Sequence, residues 1–345
     1  MKLSNFDYFL PQELIAQQPL AQRDASRMLV VDRSDNSFSH AAFSDLVHLL
    51  RPSDVLVLNN TKVFPARVIG VTDTGAKVEI FLIRQVIEPK CIWEALAKPL
   101  KRVKAGCKVH IGESASFEII EITNEGRVLV RPDFDGELFD VLDKIGRTPL
   151  PPYIRRESCD SPEDRERYQT VYARTKGSIA APTAGLHFTP AILDSLSSAG
   201  VVITEITLNV GYGTFEPVRV EEVDDHEVMP EQYSISSDAA EVLNRAKIEG
   251  RRIIAVGTTT TRALEHAMRS RGEFTSGGEL ADLTIRPGYK FRAIDGLLTN
   301  FHLPKSSLLI LVSTFAGREI IMSAYEHAVA SRYRFYSYGD CMFIV

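Results

Sequence analysis

Several loops in this chain carry residue types that can bind or activate a small molecule. The clearest is Gly257-Thr258-Thr259-Thr260-Thr261-Arg262, which follows a short apolar run typical of a buried strand. The glycine lets the chain turn, and the threonines begin a helix whose first N–H groups are unpaired. We expect this helix start, with its hydroxyl groups and Arg262, to bind a phosphate or a carboxylate. A well-capped structural helix is an equal alternative, and the P-loop spacing GxxxxGK[ST] is absent.

A second loop, residues 177–189, is crowded with small residues just before a helix. Thr183 and Gly185 are predicted to let a ligand approach the backbone closely. His187 is a candidate acid or base because imidazole titrates near neutral pH, and Phe188 is a candidate stacking surface. The alternative for His187 is a purely structural role, which is the commoner one for a lone histidine.

Three further polar stretches follow predicted strands, namely Asn59-Asn60-Thr61-Lys62, Gly211-Tyr212-Gly213 and the segment from Asp295 through Asn300 to His302. A carboxylate and an amide can read a purine-like edge by paired hydrogen bonds. The Gly-Tyr-Gly stretch is explained equally by a tight turn or a nucleobase platform. His226 lies in another polar segment. No HExxH or similarly dense ligand spacing occurs, so no metal site is expected.

Composition and charge narrow the function classes. With 345 residues, 44% hydrophobic and 25% charged, the chain is ordinary globular protein and long enough for two domains. The net charge of −5 argues weakly against a nucleic-acid partner. However, residues 95–112 contain no acidic residue and carry the basic side chains Lys98, Lys101, Arg102, Lys104 and Lys108. This stretch is either a solvated loop or a phosphate-binding surface.

The lack of a targeting signal and the lack of paired cysteines predict an intracellular protein. The N-terminus has no apolar signal core, and no apolar run is long enough to cross a bilayer. The four cysteines lie far apart and form no CxxC pair, so we expect ordinary reduced thiols. A cytoplasmic location without membrane association is expected.

Two patterns of secondary structure alternate along the chain. Short β-rich runs separated by turn residues predict strands at 66–71, 76–84, 92–97, 108–111, 116–122 and 127–131, followed by a helix at 137–144. Strands and helices alternate elsewhere, including a predicted strand at 307–313 and a capping box from Asp238 to Glu241. These patterns predict an α/β protein, in which residues 1–62 and 152–345 form a layered mixed α/β domain and residues 63–151 an inserted small antiparallel β-barrel.

Distinct strings in the right order carry a resemblance to a known family. They include Leu58-Asn59-Asn60-Thr61-Lys62-Val63-Phe64-Pro65-Ala66-Arg67, Ala180-Ala181-Pro182-Thr183-Ala184-Gly185-Leu186-His187-Phe188-Thr189, Thr299-Asn300-Phe301-His302-Leu303-Pro304 and Tyr333-Arg334-Phe335-Tyr336-Ser337-Tyr338-Gly339-Asp340. From end to end the chain resembles the S-adenosylmethionine:tRNA ribosyltransferase-isomerase family of queuosine biosynthesis. The resemblance implies an α/β domain with a β-barrel insertion. The chain departs from the family pattern at Asn209, where the family has His, and at Cys341, where the family has Ala.

The resemblance also implies a reaction. S-adenosylmethionine would donate its ribosyl group, as a co-substrate and without a further cofactor, to an aminomethyl-deazaguanine in tRNA with a GUN anticodon. The base candidates are then His187, which we favour, His226 and His302, and Asp295 and Asn300 would read the deazaguanine.

Further roles follow from the same resemblance. The helix start at Gly257–Arg262 would hold the methionine carboxylate, and Phe188 or Tyr212 would stack on adenine. Lys98, Lys101, Arg102 and Lys104 with the pair Arg155 and Arg156 would contact tRNA. A monomer is expected. Alternatives are a non-enzymatic RNA-binding protein, a methyltransferase and a hydrolase, although no GxSxG elbow is present.

Overall fold

A large mixed sheet and a closed antiparallel barrel form the framework of the protein. The computed structural model describes residues 1–87, 90–112, 114–156, 161–215 and 217–345. The strands are β1 (Arg27–Asp32), β2 (Ser37–Ala42), β3 (Val55–Asn59), β4 (Thr61–Val63), β5 (Arg67–Thr72), β6 (Lys77–Ile87), β7 (Ile92–Lys98), β8 (Lys108–Ile111), β9 (Ala115–Ile122), β10 (Val128–Asp133), β11 (Thr175–Ser178), β12 (Val202–Leu208), β13 (Glu231–Ile235), β14 (Ile253–Val256), β15 (Gly277–Ala281), β16 (Gly296–Asn300) and β17 (Cys341–Ile344). The predicted α/β class with a barrel is confirmed.

The large sheet has nine strands in the order β15-β13-β12-β3-β14-β16-β17-β1-β2. Its centre, from β12 through β3 and β14 to β16, is parallel, whereas β17 runs antiparallel to β16 and parallel to β1. The barrel closes in the order β10-β7-β6-β5-β8-β9, and β4 pairs with β11 in a separate parallel ribbon.

Helices pack on both faces of the large sheet and against the barrel. They are α1 (Leu46–Leu49), α2 (Leu138–Ile145), α3 (Pro162–Arg167), α4 (Pro190–Ser198), α5 (Ser237–Glu249), α6 (Thr258–Arg271), α7 (Ser307–Ala316) and α8 (Arg318–Ala330). No single helix in the described parts of the chain is long and apolar enough to span a membrane. Helices α7 and α8 reach that length and composition only as a pair, and they are bent by 119°.

The central strands are buried on both faces because helices pack on each side. Along β3, Val55 and Val57 join one hydrophobic core, and Leu56 and Leu58 join the other. This division follows from the alternation of side chains across a strand. Burial on both faces also explains why these strands read as continuous apolar runs. The barrel has its own core, which includes Trp93.

Two secondary-structure predictions were wrong. The apolar run at 307–313 forms helix α7 and not a strand, because short apolar runs do not distinguish a strand from a buried helix. Helix α5 is capped two residues earlier than predicted, since the Ser236 hydroxyl accepts a hydrogen bond from the Ala239 N–H. The predicted capping box from Asp238 to Glu241 is therefore not the start of this helix.

Candidate active site

The carboxyl ends of the parallel strands place several polar loops on one edge of the sheet. Strands β3, β12, β14 and β16 end there, and β17 begins there because Asn300 pairs with Cys341 in antiparallel register. Ligands of open α/β sheets bind at this edge.

A cleft opens on this edge, with about 730 Å³ of empty space including its open mouth. Six of the residues predicted from the sequence line it, namely Thr183, Gly257, Thr258, Thr259, Asn300 and His302. They come from three different loops, which are brought together only by the parallel order of β14 and β16 and the close approach of the loop before α4.

The start of helix α6 is the positively polarised wall of the cleft. Gly257 has φ 96° and ψ 150°, a conformation that residues with a side chain rarely adopt, and it provides no side-chain cap. The Thr261 N–H bonds back to the Gly257 carbonyl at 3.1 Å, so the N–H groups of Thr258, Thr259 and Thr260 have no backbone acceptor within the described residues. The N-terminal end of this 14-residue helix therefore faces the cleft with free donors.

Within the described parts of the chain, the hydroxyls of Thr258 and Thr259 also lack a protein partner, whereas Thr260 and Thr261 bond back to the carbonyls of Val256 and Gly257. The cleft side of this turn thus offers hydroxyl and amide donors together. Such a set suits a carboxylate or a phosphate oxygen.

His302 faces the cleft and is neutral. Its Nε2 atom lies 2.9 Å from the Thr299 hydroxyl, and its backbone is held by the hydroxyls of Tyr325 and Tyr8. Burial lowers the pKa of His302 to about 3, because the charged form loses its hydration. The ring is therefore an uncharged imidazole at neutral pH.

His187 lies behind the cleft, in a smaller cavity shared with Arg23, Ser26 and Ser337. Its Nδ1 atom is 2.8 Å from the Ser26 hydroxyl, which itself donates to the Arg23 carbonyl at 3.2 Å. Since a hydroxyl has one proton, Ser26 accepts from Nδ1–H, and the lone pair of His187 is then on Nε2. That Nε2 atom is buried without a hydrogen-bond partner.

Burial also dominates the electrostatics of His187 and lowers its pKa to about 4, while the nearby Asn300 side chain opposes that shift. Asn300 donates from Nδ2 to the Tyr336 carbonyl at 2.9 Å, and its buried Oδ1 has no partner. Asn300 lines the cleft and Ser337 lines both cavities, so the His187 cavity adjoins the cleft.

Three tyrosines form an aromatic wall that the sequence did not point to. Tyr153, Tyr168 and Tyr336 line the cleft, and the rings of Tyr153 and Tyr336 lie 4.0 Å apart at an interplanar angle of 48°. Tyr153 also hydrogen-bonds the Ser337 hydroxyl, whereas the buried Tyr168 hydroxyl has no partner. They lie far apart in sequence, so no local motif marks this wall.

Arg262 does not reach the cleft as a free donor, contrary to the prediction. It is buried and pairs with Glu231 at 2.8 Å, and its other N–H groups donate to the carbonyls of Leu283, Met229 and Ala281. Glu231 in turn accepts from the Gly211 N–H at 3.1 Å. This buried ion pair therefore fixes the turn after β12.

Four more predicted residues are held away from the cleft. Phe188 is fully buried with its ring on Phe43, and Gly185 packs against the Tyr172 hydroxyl. Asn59 is fully buried and bonds the Leu208 backbone. Asn60 lies in a separate shallow groove and bonds Glu205 and Thr207.

Asp295 is at the wrong end of its strand for a catalytic role. It precedes β16 and accepts from the Ile253 N–H at 2.9 Å, with Lys247 at 3.9 Å. Asn300 lies five positions further along the chain, roughly 17 Å along a strand. The sequence placed the two residues in one motif, but a strand runs between them.

The remaining predicted residues of the α/β part lie beside the cleft or outside it. His226 is half-buried and its Nε2 lies 2.7 Å from the Ser307 hydroxyl; Ser307 and Gly213 line that cavity. Tyr212 turns its ring towards Phe81 of the barrel, at 6.1 Å between ring centres. The side chain of Asn209 bonds Thr61 and lies against Gly177, outside the cleft.

The predicted tRNA contacts divide into two groups. Lys98, Lys101, Arg102 and Lys104 are exposed, and none of them has an ion-pair partner in the described residues. Arg155 is also exposed. In contrast, Arg156 is half-buried and forms an ion pair with Asp164 through two hydrogen bonds of 2.9 and 2.8 Å, so it is a structural residue.

No group of three or more metal-binding side chains occurs within the described ranges. The geometry provides a cleft with a helix N-terminus, the neutral imidazole of His302 and an aromatic wall, and an adjoining cavity that holds the imidazole of His187. The fold and the cleft together define an α/β protein with an inserted barrel and a candidate small-molecule site.

Comparison with known proteins identifies the family. The family model described as queuosine biosynthesis protein matches residues 3–344, so the chain belongs to that family. It is 50% identical to S-adenosylmethionine:tRNA ribosyltransferase-isomerase of Syntrophotalea carbinolica and 49% identical to that of Desulfitobacterium hafniense, covering 100% of both chains in each case. A crystal structure of S-adenosylmethionine tRNA ribosyltransferase from Thermotoga maritima is similar with a TM-score of 0.56 and 34% identity, over 99% of this chain and 100% of the other.

Proposed function

We propose that this chain transfers and isomerises the ribosyl group of S-adenosylmethionine onto 7-aminomethyl-7-deazaguanine at the wobble position of tRNA. The products are epoxyqueuosine-tRNA, adenine and methionine. The observation that carries the proposal is the similarity, along the whole of both chains, to relatives named for this activity. S-adenosylmethionine is a co-substrate in this reaction, which calls for no resident cofactor.

The start of helix α6 supports binding of the donor. The methionine part of S-adenosylmethionine carries a carboxylate, and the free N–H and hydroxyl groups of Thr258 and Thr259 are suitable donors for it. With Arg262 engaged by Glu231, the carboxylate is held by the helix terminus and not by a guanidinium. The aromatic wall of Tyr153 and Tyr336 offers a surface for stacking of a purine-like ring.

Deprotonation at C5′ of the ribose is the step that needs a base. The sulfonium charge acidifies the neighbouring C5′ protons, so removal of one gives a carbanion that opens the ribose and expels adenine. The substrate amine then adds, and an epoxide closes as methionine leaves. His187 fits the role of base because its Nε2 carries the lone pair and has no protein partner.

Asn300 supports this assignment. Once His187 has taken a proton, its Nε2–H becomes a donor, and Asn300 Oδ1 is a free acceptor beside it. His302, which faces the cleft directly, is the second base candidate. Replacing His187 with Ala would separate the two: full turnover by a folded variant transfers the role to His302.

The exposed basic loop of the barrel supports binding of tRNA. Gly126, at the tip between β9 and β10, lies beside Leu100 of that loop, and the adjacent Arg127 bonds the Met229 sulfur at 3.5 Å. The Met229 carbonyl accepts from Arg262, so this side of the barrel faces the α/β part near the cleft. We propose that Lys98, Lys101, Arg102 and Lys104 contact the phosphates of tRNA with a GUN anticodon, whose target base leaves the anticodon stack.

The decisive experiment is product analysis. The protein is incubated with S-adenosylmethionine and tRNA that carries the aminomethyl-deazaguanine, and free adenine and methionine are measured. Release of both that depends on tRNA supports the proposal. S-adenosylhomocysteine would indicate a methyltransferase, and tight tRNA binding without turnover would indicate a non-enzymatic RNA-binding protein.

We also propose that the protein acts as a cytoplasmic monomer. Fractionation of its native cells and light scattering of the purified protein test these two points, and recovery in a membrane fraction or a dimeric mass would contradict them.

A further inference from the structure

A second and larger groove lies between the end of the barrel segment and the α/β part. It encloses about 1320 Å³ of empty space including its mouth. Pro65, Asp143 and Pro149 line one wall, and Arg165 and Thr170 line the other. The groove is also more open to solvent than the cleft.

The two walls are tied together, so the groove exists before any ligand binds. Arg165 donates to the carbonyl of Asp143 at 3.0 Å and to that of Gly146 at 2.5 Å. Gln169 forms two hydrogen bonds with the Val63 backbone, at 2.7 and 3.1 Å. A preformed groove loses less conformational entropy on binding than a mobile one.

The groove offers donors that the protein itself does not use. The Thr170 hydroxyl is buried without a hydrogen-bond partner, in a side chain that is only 5% exposed. The ammonium of Lys62 is half-exposed and has no ion-pair partner in the described part of the chain. Of the two carboxylates in the lining, that of Asp143 is already paired with Lys176 at 2.6 Å. A ligand with oxygen acceptors and negative charge would satisfy both free donors.

The groove also leads towards the proposed base. Arg23 lines both the groove and the His187 cavity, and it donates to the Leu186 carbonyl, next to His187 in the chain. A strand lying in the groove therefore passes within one side chain of that cavity. The basic loop at Lys101 and Arg102 lies near the other contact between the barrel and the α/β part, beside Met229.

We infer that this groove binds the sugar–phosphate backbone of the single-stranded RNA next to the target nucleotide, with Lys62 and the Thr170 hydroxyl as its contacts. The inference rests on the proposed function, in that RNA is the substrate. The groove is separate from the cleft that is proposed to bind S-adenosylmethionine.

The test compares Lys62→Gln with Arg269→Gln, which removes one charge from the exposed last turn of α6, at the end of that helix away from the cleft. Binding to a labelled anticodon stem-loop is measured by fluorescence anisotropy at several salt concentrations. Lys62→Gln is expected to raise Kd about three- to tenfold and to reduce the salt slope by about one. Arg269→Gln is expected to change neither.

Thr170→Val is the second variant, because it keeps the shape and removes only the hydroxyl. It is expected to weaken RNA binding severalfold while the Tm stays equal or rises, since an unpartnered buried hydroxyl does not stabilise the fold. The inference is overturned if both variants bind RNA like the wild type. Adenine release at saturating RNA is assayed in parallel. Normal release by the variants with an unchanged Kd for RNA contradicts only the inference about the groove. No release by the wild type contradicts the proposed function.

Discussion

Replacement of Glu231 by Ala tests whether Arg262 is a structural residue or a substrate ligand. Both side chains of this pair are about 95% buried, and the N–O distance is 2.8 Å. Removing the carboxylate leaves a buried guanidinium without its counter-charge, which costs about 3–5 kcal/mol. It also removes the acceptor of the Gly211 N–H.

The expected loss is large enough to measure by thermal unfolding. The entropy of unfolding is about 2.1 cal/mol/K per residue, or roughly 0.7 kcal/mol/K for a chain of this length unfolding as one unit. A loss of 3–5 kcal/mol therefore lowers Tm by about 4–7 °C. Glu231→Gln keeps an oxygen acceptor and should lose less than Glu231→Ala.

Arg262→Met and the double variant complete the cycle. Because replacing both partners of a buried ion pair with apolar groups is far less costly than removing one, the double variant should recover part of the lost stability. The KM for S-adenosylmethionine should change less than about tenfold for a folded Arg262→Met protein. A hundredfold rise in that KM, at unchanged Tm, would refute the structural role and restore Arg262 as a carboxylate ligand.

Three further predictions concern the site. Burial holds the pKa of His187 near 4 in the folded protein against about 6.5 when unfolded, so the unfolded chain binds more protons between these values and stability is lost as pH falls through this window. Between pH 7 and pH 4, His187→Gln should lose up to about 3 kcal/mol less stability than the wild type, which is measured as a smaller fall in Tm. A fall in Tm equal to that of the wild type would show that His187 is not the group that titrates. Reversing the charges of Lys101 and Arg102 should raise the KM for tRNA about tenfold or more and leave S-adenosylmethionine binding unchanged, and unchanged tRNA affinity would exclude that surface. Gly257→Ala forces a side chain into a conformation that costs about 1–3 kcal/mol, so Tm should fall by a few degrees and the KM for S-adenosylmethionine should rise as the α6 donors shift; an unchanged KM would separate this turn from the donor site.

Local patterns in the sequence determined much of the fold. All six barrel strands lie where turn residues and β-rich runs placed them, for example 108–111 and β8, because a strand is specified by its own alternation and by its flanking turns. The start of α6 was also readable, since Gly followed by four Thr after an apolar run marks a strand that ends and a helix that begins. Asn300 and His302 were found in the same way, as polar residues after a buried strand.

The role of a charged or aromatic side chain was not readable, because it depends on what lies opposite in space. Arg262 and Phe188 belong to motifs that look functional, yet Arg262 is neutralised by Glu231, which lies 31 residues away, and Phe188 is covered by Phe43. Asp295 and Asn300 lie within six residues of each other, but a strand carries them to opposite edges of the sheet.

The sequence by itself therefore determined the family, the α/β class with its barrel and the start of α6, because these depend on short-range pattern and on the order of motifs. The tertiary structure alone decided which polar groups remain unpaired. The free Nε2 of His187, the free Oδ1 of Asn300 and the tyrosine wall arise from contacts among distant segments. Whether a buried polar atom is satisfied depends on every neighbour around it, and that arrangement exists only in the folded chain.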